Sequence, residues 1–237
     1  MAISAVLLSY KEEENLKLLL PKIRSNLEKT NEEFEIIVID TAKPLDNTRI
    51  VCEENGANYF NQKYPGFGGA FKTGIEVANN DKFLILDSDG SHNPKYITKI
   101  HKKFLTGADV VIGSRYVNGG KTFDKNISII MSKVLNTVFR IALGIKAKDI
   151  STDYRMYDTK QLKRVNLECV NYDVLQEVLL KLKINNPKLV IKEIPISFNK
   201  RIYGESKRKL IPFIVSYIKT LFRLIKIRVC CFLKKKI

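Results

Sequence analysis

Residues 82–92, Lys82-Phe83-Leu84-Ile85-Leu86-Asp87-Ser88-Asp89-Gly90-Ser91-His92, restrict the fold more than any other stretch. A short apolar run, Phe83 to Leu86, stops abruptly on two carboxylates separated by a single residue. A run of that length bounded by turn residues is a strand buried on both faces, as in a parallel sheet. In open α/β sheets ligands bind beyond the carboxyl ends of the strands, which sets Asp87 and Asp89 at the mouth of a site. Carboxylates at i and i+2, where strand gives way to turn, can face one hard cation. Mg²⁺ or Mn²⁺ in such a place keeps several waters and takes its other ligands from substrate phosphates. At this point an Asp-Ser-Asp-Gly turn that merely ends a strand remains the alternative.

The flanking sequence extends the same pattern. Ala2 to Leu8 and Phe34 to Asp40 are further buried strands, and Asn58 to Phe60 is a short, edge-like one. Leu16, Leu19, Leu20, Ile23 and Leu27 recur at helical spacing, and a short helix is predicted over Thr48 to Asn55. Pro65-Gly66-Phe67-Gly68-Gly69 reads as a glycine-rich loop opening a helix over Ala70 to Ala78, with Gly68 and Gly69 serving chain geometry. Pro94 begins a helix to Phe104, and Asp109 to Gly113 is a strand ending in Ser114-Arg115-Tyr116. Strands and helices alternating at these lengths specify a doubly wound sheet. Beyond Asn118 the pattern changes. Ile127 to Leu143 is a long apolar helix, Asp149 to Asp158 a polar loop or hairpin, and Tyr172 to Lys183 amphipathic. Leu189 to Phe198 alternates like a strand, and Arg201 to Lys207 is a polar loop before a basic C-terminal helix.

Charge narrows the partners. The net charge is +16, and no acidic residue follows Glu205. An excess of that size points to nucleic acid, an anionic membrane or phosphate-bearing substrates. Ile211 to Phe232 mixes large apolar residues with regularly placed Lys and Arg. That composition suits a helix lying in a membrane interface, and it weighs against nucleic acid. The rival use of this helix is to bind a partner or a second copy of the chain. No apolar run approaches the ~18 residues that a spanning helix needs, so peripheral attachment is expected. Cys52, Cys169, Cys230 and Cys231 have no metal-ligand spacing, which fits a reducing compartment.

With these residues in place, the chain resembles the family 2 glycosyltransferases of the polyprenyl-phosphate type. Leu8-Ser9-Tyr10-Lys11-Glu12 resembles that family's Pro-Thr-Tyr-Asn-Glu nucleotide-binding turn, with the Pro and Asn replaced. Asp40 stands where an Asp contacts the nucleoside, and Asp87-Ser88-Asp89 resembles the metal-binding Asp-x-Asp. Gly113-Ser114-Arg115-Tyr116 resembles a Gly-(Ser/Thr)-Arg-Tyr segment, and Asp153-Tyr154-Arg155 stands in for Ser-Gly-Phe-Arg. Arg201 to Lys207 matches an Arg-x-x-Gly-x-Ser-Lys loop. The resemblance covers residues 1 to 215 or so; each motif is weak alone, and their shared order carries the weight.

The resemblance implies a nucleotide-diphospho-sugar transferase-like (GT-A) doubly wound mixed sheet over residues 1–208, with a basic amphipathic membrane-interface helix over 209–237. It implies donor contacts at Leu8, Tyr10, Glu12, Asp40, Asp87, Ser88 and Asp89, and a Mg²⁺ or Mn²⁺ ion held by Asp87, Asp89 and Ser91. Arg115, Arg155, Arg201 and Lys207 are then expected at an acceptor phosphate, with Asp89, Arg115, Arg201 and Lys207 acting in catalysis. His92 reads as a turn residue, and Asp153 as either a base for a hydroxyl or a brace for Arg155. The implied reaction is inverting sugar transfer from a nucleoside-diphosphate-sugar to a polyprenyl phosphate at the cytoplasmic membrane face. Transfer to a saccharide hydroxyl is the alternative.

Overall fold

The computed structural model describes residues 2–204 and 210–234. Its first half is the alternation expected from the apolar runs. Strands β1 (Ala2–Leu8), β2 (Glu33–Asp40), β3 (Asn58–Asn61) and β4 (Lys82–Asp87) alternate with helices α1 (Glu13–Glu28), α2 (Thr48–Glu54) and α3 (Gly66–Val77). A 3-10 turn (Pro94–Tyr96) and α4 (Ile97–Phe104) lead to β5 (Val110–Ser114), and β6 (Lys121–Thr122) precedes α5 (Asn126–Leu143). Then come β7 (Arg155–Asp158), α6 (Thr159–Lys163), α7 (Val174–Asn185), β8 (Ile191–Pro195), β9 (Ser197–Phe198) and α8 (Leu210–Lys234).

The main sheet has seven strands in the order β3-β2-β1-β4-β7-β5-β8, and β6 pairs with β9 apart from it. All neighbours are parallel except β7, which runs antiparallel to both β4 and β5. The chain winds away from β1 on both sides, so the topological switch lies between β1 and β4. Leu8 stands opposite Ile39 on one side and Asp87 on the other, which brings Leu8, Asp40 and Asp87 to one edge.

Period-two alternation divides the core. Ile3, Ala5, Leu7, Leu84 and Leu86 face α1, α2 and α4, while Val6, Phe83 and Ile85 face the layer built from α3, α5, α7 and α8.

In three places the structure departs from expectation. Helix α3 starts at Gly66 instead of Ala70, so the glycines form its first turn. A Cβ at Gly68 would fall 2.0 Å from the Cys169 carbonyl oxygen, and only glycine lets that turn press against the 169–170 backbone. Strand β7 sits in the middle of the sheet, where a polar loop or hairpin was expected. Its Arg155 is fully buried because Nη2 donates to Ile150 O, and Nη1 to Leu175 O and the Tyr157 hydroxyl. Helix α5 spans 18 residues at a mean hydropathy of 1.3, long and apolar enough by length and composition to cross a membrane. Sequence inspection finds no such run because Lys133 and Arg140 interrupt it. The expected C-terminal helix is present as α8, and it packs on the body. Tyr217 and Leu224 are buried in the core, Ser216 and Thr220 donate to Asp173, and Arg223 lies 3.6 Å from Glu177.

Candidate active site

The turn after β4 is tied to the end of β1 and to the 199–202 segment. The Ser88 hydroxyl donates to the Leu8 carbonyl at 2.7 Å, fastening the turn to the end of β1. Asp89 accepts the Ser91 amide on Oδ1 at 2.9 Å and Arg201 Nη2 on Oδ2 at 2.8 Å. Gly90 has φ +82°, a conformation glycine adopts freely. Ser91 is buried, and its carbonyl accepts the Asn199 amide at 3.0 Å.

His92 is the site residue that sequence inspection undervalued. Its ring is fully buried between Tyr154 and Phe198. Nδ1 accepts the Asp87 amide at 3.1 Å, and Nε2 lies 3.2 Å from Thr152 Oγ1. With Nδ1 accepting, Nε2 carries the proton and donates to Thr152, so the ring is neutral. Burial accordingly holds His92 below its ordinary pKa. The signal available in the sequence was its place directly after the acidic turn; its partners lie far along the chain.

Asp87, His92 and Asp153 bring one potential ligand atom each within 4.8 Å of one another. Because the Nδ1 lone pair is already taken by an amide, the two carboxylates are the groups left to face a cation. Burial, and then the charge of Asp87, pushes Asp153 up to about 7. Two carboxylates this close repel each other, and a hard divalent ion with oxygen ligands fits between them. Asp87 and Asp89, with Asp153 beside them, are the residues that would hold Mg²⁺ or Mn²⁺. The buried Ser91 lies under the 199–202 segment.

The donor side lies along the ends of β1 and β2. Tyr10 is half exposed at the rim, and Glu12 is buried with Oε2 accepting Asn15 Nδ2 at 2.5 Å. Asp40 has no exposed surface and accepts the Tyr59 hydroxyl at 3.0 Å. Burial raises its pKa. In this conformation Asp40 holds Tyr59 and so fixes β3 against β2.

The cationic residues expected at phosphate separate. Arg115 makes a forked pair with Asp149, Nε to Oδ2 at 2.8 Å and Nη2 to Oδ1 at 2.9 Å, and also reaches Ser132 and Ser151. Its side chain is only 8% exposed. Burial opposes charge at both ends of this pair, yet their mutual attraction wins: Arg115 is held above and Asp149 below the ordinary value. Arg155 donates to the backbone carbonyls of Ile150, before β7, and Leu175, in α7. In this conformation Arg155 has no exposed surface and Arg115 turns its fork to Asp149. Arg201 alone of the three opens to the cleft, and Lys207 lies outside the described residues.

Comparisons with known proteins give the family and the fold. The family described as Glycosyl transferase family 2 matches residues 4–165. A dolichol-phosphate mannosyltransferase of Pyrococcus furiosus is 32% identical over 95% of this chain, which spans 64% of that protein's length. A polyprenol monophosphomannose synthase of Mycolicibacterium smegmatis is 30% identical over 84% of this chain and 78% of its own. Among solved structures, glucosyl-3-phosphoglycerate synthase from Mycobacterium tuberculosis, with Mn²⁺, UDP and glucosyl-3-phosphoglycerate, superposes with a TM-score of 0.72. That match covers 95% of this chain and 80% of the synthase; at 18% identity the likeness is one of fold. The same enzyme has also been crystallised with Mg²⁺ and UDP.

Proposed function

Because the chain belongs to glycosyl transferase family 2, we propose that it transfers a sugar from a nucleoside-diphosphate-sugar to a polyprenyl phosphate, with inversion, at the cytoplasmic face of a membrane. The observation that carries this reading is the acidic turn at the switch point, Asp87 to Asp89, with Arg201 opening to the same cleft. The two relatives described above bear names that pair a sugar with an isoprenoid phosphate or monophosphate.

Tyr10 and Glu12 line the donor end of the cleft. Asp87 and Asp89 present oxygens toward the diphosphate, and a divalent ion bound there supplies positive charge as negative charge builds on the leaving group. His92 and Thr152 keep Asp87 and Asp153 in register. An acceptor phosphate oxygen attacks the anomeric carbon as the bond to the diphosphate breaks, and the electron pair leaves with the diphosphate. That phosphate is already ionised at neutral pH, so no side chain has to remove a proton. Arg201, with a planar fork suited to phosphate oxygens, is the described cation placed to hold it.

The membrane-facing surface belongs to α5 and α8, which pack against each other and contain no acidic residue. Ile127, Ile130, Val134 and Ile141 project from α5 at helical spacing, and Ile218, Phe222 and Val229 from α8. Lys133, Lys219 and Lys226 interleave with them. Exposed apolar stripes edged with cations suit an anionic lipid interface.

Transfer to a saccharide hydroxyl is the second reading. A hydroxyl must lose a proton, and Asp153, in the cleft beside Asp87, is the carboxylate favouring that route. The test is product analysis after incubating the full chain with a panel of nucleotide-sugars and Mn²⁺, with either polyprenyl phosphate or oligosaccharide acceptors. A glycosylated lipid phosphate supports the first reading, and an extended saccharide replaces it with the second.

A further inference from the structure

Arg201 lies where positive charge is required before any ligand arrives. Nη2 donates to Asp89 Oδ2 at 2.8 Å, and Nη1 stands 3.8 Å from Glu12 Oε1. The guanidinium thus bridges a carboxylate of the acidic turn and one from the start of α1.

The backbone on both sides of it is strapped across the same turn. The Asn199 amide donates to Ser91 O and the Ile202 amide to Asp89 O, each at 3.0 Å. Tyr203 exchanges two hydrogen bonds with Asn15, its amide to Oδ1 at 3.0 Å and its carbonyl from Nδ2 at 3.3 Å. Ile202 rests on Gly90, where a Cβ would come within 2.5 Å of Ile202 Cδ1. Glycine there lets the strap lie close, and the strap in turn sets Arg201 on Asp89.

A guanidinium and a divalent ion are alternative partners for one carboxylate oxygen. Asp89 has Oδ1 on the Ser91 amide and Oδ2 on Arg201, so an approaching cation competes with the arginine. We propose that Arg201 is the internal counter-ion of the cation site. It neutralises Asp89 while the cleft is empty and gives up that carboxylate when cation and diphosphate enter. It then turns, on the 199–204 segment, to the acceptor phosphate. Donor binding is thereby tied to delivery of the acceptor's cation, and the order of binding is donor first. The proposal rests on the reading of Asp89 as a cation ligand; release of the arginine does not depend on which acceptor follows.

The test is a Mn²⁺ titration of the full chain followed by electron paramagnetic resonance, without nucleotide or acceptor. Arg201→Gln removes the competing charge and is expected to bind Mn²⁺ about tenfold more tightly, the scale of a lost, partly exposed charged hydrogen bond. Arg201→Lys keeps the charge and stays near wild type. Equal or weaker binding by Arg201→Gln overturns the proposal. A second measurement needs no variant: tryptic cleavage after Lys200 or Arg201 in the wild type accelerates at saturating Mn²⁺. Unchanged or slower cleavage also overturns it. Failure of the functional reading looks different, since the Mn²⁺ responses persist while no glycosylated lipid forms.

Discussion

Arg155 lies in the middle of the sheet and Arg201 at its rim. Both stand in motifs that resemble phosphate-binding segments. Arg155 has no exposed surface and meets the carbonyls of Ile150 and Leu175. The Arg201 side chain keeps 26% of its surface and faces Asp89 and Glu12. What separates them is the supply of acceptors. Where the fold buries carbonyls that can take a further bond, as Ile150 O does beside Gln176 Nε2, an arginine completes the interior; where it provides carboxylates at an open edge, the arginine remains exchangeable.

The largest expected effect falls at the rim. Asp89→Ala should lower transfer by about 10³-fold, the scale of removing one group aimed at developing charge, with an unchanged melting temperature. Chelation should have the same effect on the wild type, and full activity in excess chelator removes the cation from the account.

The interior shows the opposite profile. Arg155→Met removes the buried hydrogen bonds to Ile150 O, Leu175 O and the Tyr157 hydroxyl and should cost on the order of 3 kcal/mol in urea unfolding. Arg201→Ala should cost under about 1 kcal/mol, as for a partly exposed pair. Equal losses in the two variants would break the contrast.

The parallel strands of the first half and the acidic turn were legible because each announces itself within a few residues. Ala2 to Leu8, Phe34 to Asp40 and Phe83 to Leu86 are apolar runs that stop on polar residues at one sheet edge. Strand β7 was not legible. Its Arg155 reads as a loop residue, and the Leu175 carbonyl that makes its burial tolerable lies 20 positions away. His92 was obscured for the same reason, since Thr152 and Phe198 enclose it from distant segments. Local pattern encodes apolar burial, whereas buried polar groups are decided by partners that only the fold assembles.

Arg115 and Asp149 extend the interior class to a buried ion pair. Asp149→Asn should destabilise by about 3 kcal/mol at neutral pH, because Arg115 keeps its charge without a counter-ion. Asp149 is held below its ordinary 3.8, so its contribution is complete above that value and fades as pH falls through the depressed one. Unfolding of wild type and variant across pH 2 to 7, roughly that window, should show the gap narrowing only at the acid end. A gap that widens in acid contradicts the pairing.

The smallest effect concerns the exposed stripe. Ile130→Glu, 62% exposed on α5, should leave stability unchanged and weaken sedimentation with anionic liposomes roughly fivefold. Undiminished sedimentation would move the docking surface away from α5.

Acceptor chemistry is tested most directly by one comparison on the wild-type chain. Labelled nucleotide-sugar and Mn²⁺ are offered with a polyprenyl phosphate or with the dephosphorylated polyprenol of the same length. Transfer to the phosphate alone, yielding a lipid-linked sugar phosphate, is the predicted result. Transfer to the alcohol at a comparable rate, or to neither lipid while a saccharide is extended, would contradict it.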